Sequence, residues 1–370
     1  MNVLFDHQVF SFQEYGGISR YYSRLLKIFS QNASIQADLI VKFSNNAYLH
    51  EVGNFNPTPF FGKYRFKGRN EIIRVLNQLY FKKEYAKRPP PDIFHPTYYH
   101  QYFLNDIGAV PFVLTIYDMA HEIYPGSFHP FDFTIKNKKA LAKKAARIIA
   151  ISEYTKKDIV RILEIPESSI DVIPLATDIV VNASMMLSFP PPKEFILYVG
   201  ARNTYKNFMF FLRSMKSIMK DSHNLFVICA GGGTFSLQEQ KNIEQLGLSK
   251  NIRQINVSDE SLALLYSKAK AFVYPSLYEG FGIPIVEAFT CGAPVILSNR
   301  SSLPEVGGEA AAYFEPDNNE SLEIVVRSIL NNPETRNEMV QKGFERAKMF
   351  SWNNTAEKTI ETYKKVLQHR

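Results

Sequence analysis

Short runs of wholly apolar residues alternate along the chain with longer stretches whose apolar positions recur every three to four residues. A run such as Phe195-Ile196-Leu197-Tyr198-Val199 offers no polar face. Strands buried on both sides belong to parallel sheets covered by helices. Strands are expected at Val3–Asp6, Ala37–Val41, Ile93–His95, Phe112–Tyr117, Arg147–Ile151 and Val172–Pro174. A second series is expected at Phe195–Gly200, Leu225–Ala230, Ile252–Val257, Ala271–Tyr274 and Pro294–Ser298. Between the series lies Met185–Lys193, whose Pro190-Pro191-Pro192 can continue neither a helix nor a central strand. The pattern predicts two doubly wound α/β domains, 1–183 and 193–350, joined by a stiff linker over about 184–192. The last segment, Ser351–Arg370, reads as a helix with Ser351 at its N-cap.

Composition narrows the class. At 370 residues the chain is too long for one ordinary core, and 45% apolar residues are enough to build two. No stretch approaches the roughly 20 apolar residues needed to cross a bilayer. The opening Met1-Asn2-Val3-Leu4-Phe5-Asp6 has no basic leader, so a cytoplasmic location is expected, at the inner membrane face if the surface allows it. Cys229 and Cys291 lie far apart in apolar runs and read as buried thiols, not as a disulfide or zinc pattern.

The net charge of +7 is concentrated in two segments, 63–88 and 136–161. Each has nine Lys/Arg against two acidic residues, a surplus of seven apiece, which leaves the rest of the chain at −7. Residues 63–88 also carry Tyr64, Phe66, Tyr80 and Phe81, a mixture suited to an anionic membrane surface or to a solvated helix packed by its apolar side. For 136–161, Ala140, Leu141, Ala145 and Ile148 recur at helical spacing, which favours the packed helix. No nucleic-acid motif accompanies either segment.

Four turns after strands carry candidate chemistry. Glu279-Gly280-Phe281-Gly282-Ile283-Pro284-Ile285-Val286-Glu287 follows a strand and opens a helix ending near Gly292. Its glycines allow close backbone approach, Pro284 suits a first helical turn, and the exposed amides form an anion site. Two carboxylates beside such a site make sense as acceptors from sugar hydroxyls. Gly200-Ala201-Arg202-Asn203-Thr204-Tyr205-Lys206-Asn207 supplies a forked guanidinium and a compact ammonium, both fit for phosphate. Gly16-Gly17-Ile18 is a tight turn ahead of a helical Ser19–Phe29. Tyr117-Asp118-Met119-Ala120-His121-Glu122 ends a strong strand, where open α/β sheets face their ligand. Gly231-Gly232-Gly233 follows a strand but is no G-x-G-x-x-G pattern and receives no dinucleotide role.

The Glu279–Glu287 stretch resembles the E-x7-E motif of retaining GT-B glycosyltransferases of family 4, closely over Tyr266–Ser298 and loosely from Met1 to about residue 350. The resemblance implies a GT-B fold: two Rossmann-like domains facing a central cleft, an acceptor-binding N-terminal domain, a nucleotide-sugar-binding C-terminal domain and a final helix crossing back to the first. It implies that Glu279 holds donor-sugar hydroxyls and that amides of Phe281, Gly282 and Ile283 face the sugar and diphosphate. Gly280 belongs to the same turn. Glu287 would accept the ribose hydroxyls. Arg202 and Lys206 would bind the diphosphate in place of a metal, and Gly16 and Gly17 would come close to it. Val257 and Ser258, after a strand, would meet the base. Leu303-Pro304-Glu305-Val306 resembles a packing segment after the last core strand.

Two departures matter. Where many relatives read Pro-Arg-Lys this chain has Thr204-Tyr205-Lys206, which makes Lys206 a firmer assignment than Arg202. Where many read His-Asp it has Tyr117-Asp118, so Asp118 matches while His121 is the nearest substitute for the family histidine.

The implied activity is transfer of a hexose, first of all mannose from GDP-mannose and otherwise a UDP-linked hexose, to a glycan or lipid-linked acceptor of a surface polysaccharide such as lipopolysaccharide O-antigen or capsule. No cofactor or metal is implied beyond the nucleotide-sugar. A GT-B epimerase acting on the donor alone, or a sugar-binding protein without catalysis, are the alternatives; the second is usually exported.

Overall fold

The structure, a computed structural model, describes every residue except Asn54, Lys63, Ala183, Ser188, Asn203, His223, His369 and Arg370. Lys63 of the basic segment, Asn203 of the 200–207 turn, Ala183 and Ser188 near the expected linker and His369 and Arg370 of the expected final helix therefore lie outside the described residues.

The chain divides into two compact units. The first joins Met1–Leu175 to Trp352–Arg370, and the second is Ala176–Ser351. In unit 1, β1 (Asn2–Asp6), β2 (Gln36–Ile40) and β3 (Ile93–His95) form a parallel sheet in the order β2-β1-β3. β4 (Val113–Ile116), β5 (Arg147–Ala150) and β6 (Ile170–Val172) form a second, β4-β5-β6. A parallel bridge between Phe94 and Phe112 links the two. The expected strand at Val172–Pro174 sits two residues earlier, because Pro174 has no N–H to give to a ladder.

Unit 2 holds one six-stranded sheet built from β7 (Glu194–Val199), β8 (Leu225–Ala230), β9 (Ile252–Ile255), β10 (Ala271–Tyr274), β11 (Val295–Ser298) and β12 (Ala311–Phe314). All its pairings are parallel, and β7 and β10 are neighbours, so the strand order reverses between them. The strand series does not end at Ser298 as expected. β12 closes the edge, its Ala311, Ala312 and Tyr313 only half-buried. The unbroken apolar run of β7 is matched by its burial: Phe195, Ile196, Leu197 and Tyr198, which alternate between the two faces, are all enclosed.

Residues 176–182, ahead of the triple proline, pack within unit 2, where the Ile179 carbonyl accepts from Thr290 Oγ1 at 2.7 Å. The final helix is Trp352–Gln368. It joins unit 1 through Tyr363 on His95, Thr355 on the Pro174 carbonyl and Lys365 on Asp171. Cys229 and Cys291 are free and buried. Among the described residues no helix is long and apolar enough to cross a membrane.

The two basic segments fold differently from one another. Arg69–Tyr85 is a helix that buries Ile73, Asn77 and Phe81 as one stripe. Its other apolar stripe, Ile72, Val75 and Leu79, stays 45–64% exposed, beside exposed Phe61, Tyr64 and Phe66. In the other segment the helical spacing does not continue to Ile148. The helix is Thr134–Ala142, and Ile148 lies in β5, where its burial comes from the sheet.

Candidate functional site

Ligands of open α/β sheets bind beyond the carboxyl ends of the strands where the order reverses. In unit 2 that point lies between β7 and β10, and both strand ends lead into turns singled out above. The turn after β7 ends in a short 3₁₀ segment, Thr204–Lys206, and the turn after β10 carries Glu279. There Lys206 Nζ donates to both carboxylate oxygens of Glu279, at 2.7 and 2.8 Å. The Leu277 N–H donates to the Tyr205 carbonyl at 2.8 Å, so backbone as well as side chain ties one turn to the other. The pair is largely shielded from solvent, with Lys206 17% and Glu279 10% exposed at the side chain. Beside it the Tyr274 hydroxyl is held well above its usual range by burial and by the Glu279 charge.

The glutamate loop is pinned from the turn after β11. Glu279 N–H donates to Ser301 Oγ at 2.9 Å, and Ser302 Oγ donates to the carbonyls of Glu279 and Phe281. Ser301 adopts a left-handed conformation, φ 53°, a strain that non-glycine residues accept where surrounding structure enforces it. The sequence pattern pointed to neither serine and placed interest no nearer than the packing segment Leu303–Val306. That segment does pack, with Leu303 and Val306 buried.

Gly282 then caps the helix Ile283–Thr290 at φ 94°. That left-handed φ is what favours glycine here; a Cβ would also meet Ile285 Cδ1 at 2.9 Å, a contact the flexible side-chain end could relieve. Glu287, one turn into the helix and 7% exposed, accepts from the buried Tyr266 hydroxyl at 3.1 Å. Tyr266 was not foreseen, although a tyrosine late in the helix ahead of β10 is the signal that would find it. Val257 and Ser258 follow β9, where Ser258 caps the helix Asp259–Lys268 by accepting from the Ser261 N–H.

Arg202 does not join Lys206. Its Nε donates to Glu239 at 2.6 Å, and its two terminal nitrogens donate to the carbonyls of Gly231, Gly232, Gly233 and Thr234. The side chain is 4% exposed. Burial alone would raise the Glu239 carboxyl, but the Arg202 guanidinium and the Ser236 amide outweigh it and hold it below the usual range.

Asp118 and His121 belong to unit 1. Asp118 Oδ1 accepts from the Ala120 N–H at 3.0 Å, a local cap after β4, while the buried Lys138 donates to the Asp118 carbonyl and to Glu122, both at 2.9 Å. His121 stacks on Phe128 at 3.7 Å and places Nε2 3.3 Å from Asp132 Oδ2. Burial, then the Lys138 charge, lowers its pKa, so the ring is neutral at neutral pH and the Asp132 contact is a hydrogen bond from Nε2–H. Nδ1, buried and without a hydrogen-bond partner among the described residues, is left as an acceptor. Asp132 also lines a cavity of about 410 Å³ with Gln8, Tyr98, His100, Phe133 and Asn137. A second cavity, about 370 Å³, shares Phe12, Asn70 and Glu71 with it and reaches Arg65 and Phe66. Gly16 and Gly17 start the helix Gly17–Phe29, where the Gln13 amide folds over the turn and accepts from the Ser19 N–H.

Solved structures match this architecture along the whole chain. A sucrose-phosphate synthase from Thermosynechococcus elongatus superposes with a TM-score of 0.75 at 17% identity, covering 100% of both chains. Anabaena HepE, solved with UDP and glucose, gives 0.73 at 15% identity over 99% of this chain and 100% of its own. The fold is therefore GT-B, the fold of a large class of glycosyltransferases.

The sequence comparisons narrow the class. Residues 15–180 match the model for Glycosyltransferase Family 4, and residues 186–346 match that for Glycosyl transferases group 1. The O-antigen chain mannosyltransferase B of Escherichia coli is 30% identical over 268 residues, 68% of this chain and 70% of that one. The O-antigen chain mannosyltransferase RfbU of Salmonella typhimurium is 31% identical over 225 residues, 60% of this chain and 61% of its own. The chain belongs to the family 4, group 1 glycosyltransferases.

Proposed function

We propose that this glycosyltransferase transfers mannose from GDP-mannose, with retention and without a metal, to a lipid-linked glycan of an O-antigen-type surface polysaccharide. The observation that carries the reading is the Lys206–Glu279 pair at the strand reversal of unit 2, directly ahead of the Gly282-capped helix that bears Glu287. The donor diphosphate rests on Lys206 and on the amides of Phe281, Gly282 and Ile283. Glu279 accepts from hydroxyls of the hexose and Glu287 from those of the ribose. Val257 and Ser258 meet the base. Fixed positive charge at the departing diphosphate lowers the barrier to cleavage, the task a metal performs elsewhere.

The acceptor hydroxyl attacks the anomeric carbon on the face from which the diphosphate leaves, and a diphosphate oxygen takes its proton. The new glycosidic bond thus replaces the old one with no protein nucleophile. Unit 1 receives the acceptor in the cavity beside His121 and Asp132, with Asp118 at the neighbouring strand end. The exposed stripe of Ile72, Val75 and Leu79, with Phe61, Tyr64 and Phe66 and the basic residues around them, rests from the cytoplasmic side on the anionic face of a membrane. Mannose is favoured because the relatives above are named as mannosyltransferases, and a UDP-linked hexose is the second donor.

Titrating the protein with a panel of GDP-, UDP- and ADP-sugars tests the donor. A preference for an ADP-sugar, or for none, would remove the assignment. Incubation with donor alone, followed by analysis for an epimer, separates transfer from epimerisation.

A further inference from the structure

We infer that Arg202 is a positioning residue for the donor site, clamping the turn that presents Lys206, and is not itself a ligand of the diphosphate. The inference rests on the reading of Lys206 and Glu279 as donor-binding groups.

A guanidinium has five N–H donors in a fixed planar fork. Here Nε donates to Glu239, Nη1 to the Gly231 carbonyl, and the two N–H groups of Nη2 are shared among the carbonyls of Gly232, Gly233 and Thr234, at 2.6 to 3.2 Å. Such a cage is built by the backbone. Gly231, Gly232 and Gly233 all have positive φ, 81°, 71° and 73°, a left-handed run that turns successive carbonyls toward one point. A Cβ on Gly232 would lie 2.6 Å from Arg202 Nη1 and 2.7 Å from the Gly200 carbonyl, so the loop and the turn are fitted to each other. The guanidinium carbon also lies 4.9 Å from the Phe235 ring centroid and 5.8 Å from that of Phe208. Glu239 is itself committed, since its other oxygen accepts from the Ser236 N–H in the capping box of the helix Leu237–Gln245.

To reach a phosphate, Arg202 would have to abandon this cage and leave a carboxylate and four carbonyls without their donor. Water can replace the donor at the exposed carbonyls of Gly232, Gly233 and Thr234, but Glu239 and the Gly231 carbonyl are partly buried, and leaving such groups unpaired costs more than a typical bond contributes. What the cage secures is the start of a short turn. Tyr198 hydroxyl donates to the Ala201 carbonyl at 2.7 Å at that end, while at the other the Tyr205 carbonyl accepts from Leu277 N–H and Asn207 Nδ2 donates to the Pro316 carbonyl. Lys206, four residues beyond Arg202, is thereby delivered to Glu279. The three glycines that matched no dinucleotide pattern acquire a role on this account: they are the socket for Arg202.

The test measures binding of GDP and of UDP by calorimetry in the full chain, for Arg202→Ala, Arg202→Lys, Glu239→Gln and Lys206→Ala, with thermal melting alongside. A clamp predicts that Arg202→Ala and Glu239→Gln each weaken binding of the preferred nucleotide by about tenfold, and that the double variant is no worse than either. Arg202→Lys, which cannot span five acceptors, should behave like Arg202→Ala. Lys206→Ala should weaken binding in its own right.

A direct phosphate ligand gives the reverse pattern. Glu239→Gln, by releasing Arg202, would bind as well as the wild type or better, and Arg202→Lys would retain most of the affinity. Either result overturns the inference. So does a drop in melting temperature in the Arg202 and Glu239 variants with nucleotide affinity unchanged, which would make the cage purely structural. If Arg202→Ala fails to fold, Arg202→Lys and Glu239→Gln carry the comparison. Unchanged affinity in Lys206→Ala would instead remove the donor site itself, a separate failure.

Discussion

At the strand reversal of unit 2 the side chains are charged and paired, Lys206 with Glu279 and, four residues earlier in the same turn, Arg202 with Glu239. At the corresponding ends of β1 and β3 in unit 1 the buried groups are neutral or pushed toward neutrality. His7 and His95 are lowered to about 3 by burial, and the Asp6 carboxyl is raised by burial despite bonds from Thr97 and Gln8. His95 is held between the hydroxyls of Tyr363 at 2.6 Å and Thr115 at 2.9 Å. Similar strand ends thus carry opposite electrostatics. Unit 2 sets fixed charge at its strand reversal, whereas unit 1 sets a desolvated network of hydroxyls and imidazoles at its strand ends. On the proposed function the Lys206–Glu279 pair would open toward the diphosphate while Arg202–Glu239 stays closed.

The contrast can be broken at its charged side first. Lys206→Ala should lower turnover by about 10²- to 10³-fold, the usual cost of one preorganised group facing developing negative charge. Steady-state rates with the preferred donor, and a melting curve showing the fold intact, would check it.

The neutral side predicts a pH dependence. For His95 the folded pKa lies near 3 and the unfolded value near 6.5, so the unfolded chain takes up the proton first. Stability is complete above about 6.5 and is lost as pH falls toward 3, by about 1.4 kcal/mol per pH unit. Denaturant titrations between pH 6.5 and 5 should show a slope shallower by that amount in His95→Gln. Unit 2 contains only His223 in its sequence, so its own transition should hold nearly constant over the same range.

Smaller effects sharpen the picture. Glu287→Gln should raise the donor KM by about tenfold, the worth of a charge-assisted bond to a ribose hydroxyl. Replacing Ile72, Val75 and Leu79 together by Ser should reduce pelleting with anionic vesicles while leaving turnover on a water-soluble acceptor unchanged. The smallest effect is none: turnover should persist in EDTA, and its loss would put a metal where Lys206 is placed here.

Much of this was readable in the chain, for identifiable reasons. β7 declares itself because both its faces are buried, leaving a run with no polar interruption. β12 does not, because an edge strand of Ala311, Ala312 and Tyr313 half-open to solvent resembles a loop in composition. Glu279 and Lys206 were legible because each follows a strong strand at a glycine-bearing or basic turn. The partner of Arg202 was not, since Glu239 lies far along the chain and the carbonyl cage depends on three left-handed glycines whose φ values no motif records. His121 drew attention as the nearest substitute for the family histidine, but the Asp132 it contacts was hidden in an irregular aromatic loop. Ser301 gave no warning at all, because backbone strain at a serine is visible only once the surrounding loops are in place.

The return of Trp352–Gln368 to unit 1 makes unit 2 an insertion in the covalent order of unit 1. During translation, residues 176–351 must all emerge before Tyr363 can meet His95, an interval of roughly 10 to 35 s at ordinary elongation rates. The later-made unit is therefore complete first, while the earlier one waits on the ribosome with an imidazole still lacking its phenol. A chaperone that shields nascent chains would find its client in the N-terminal half.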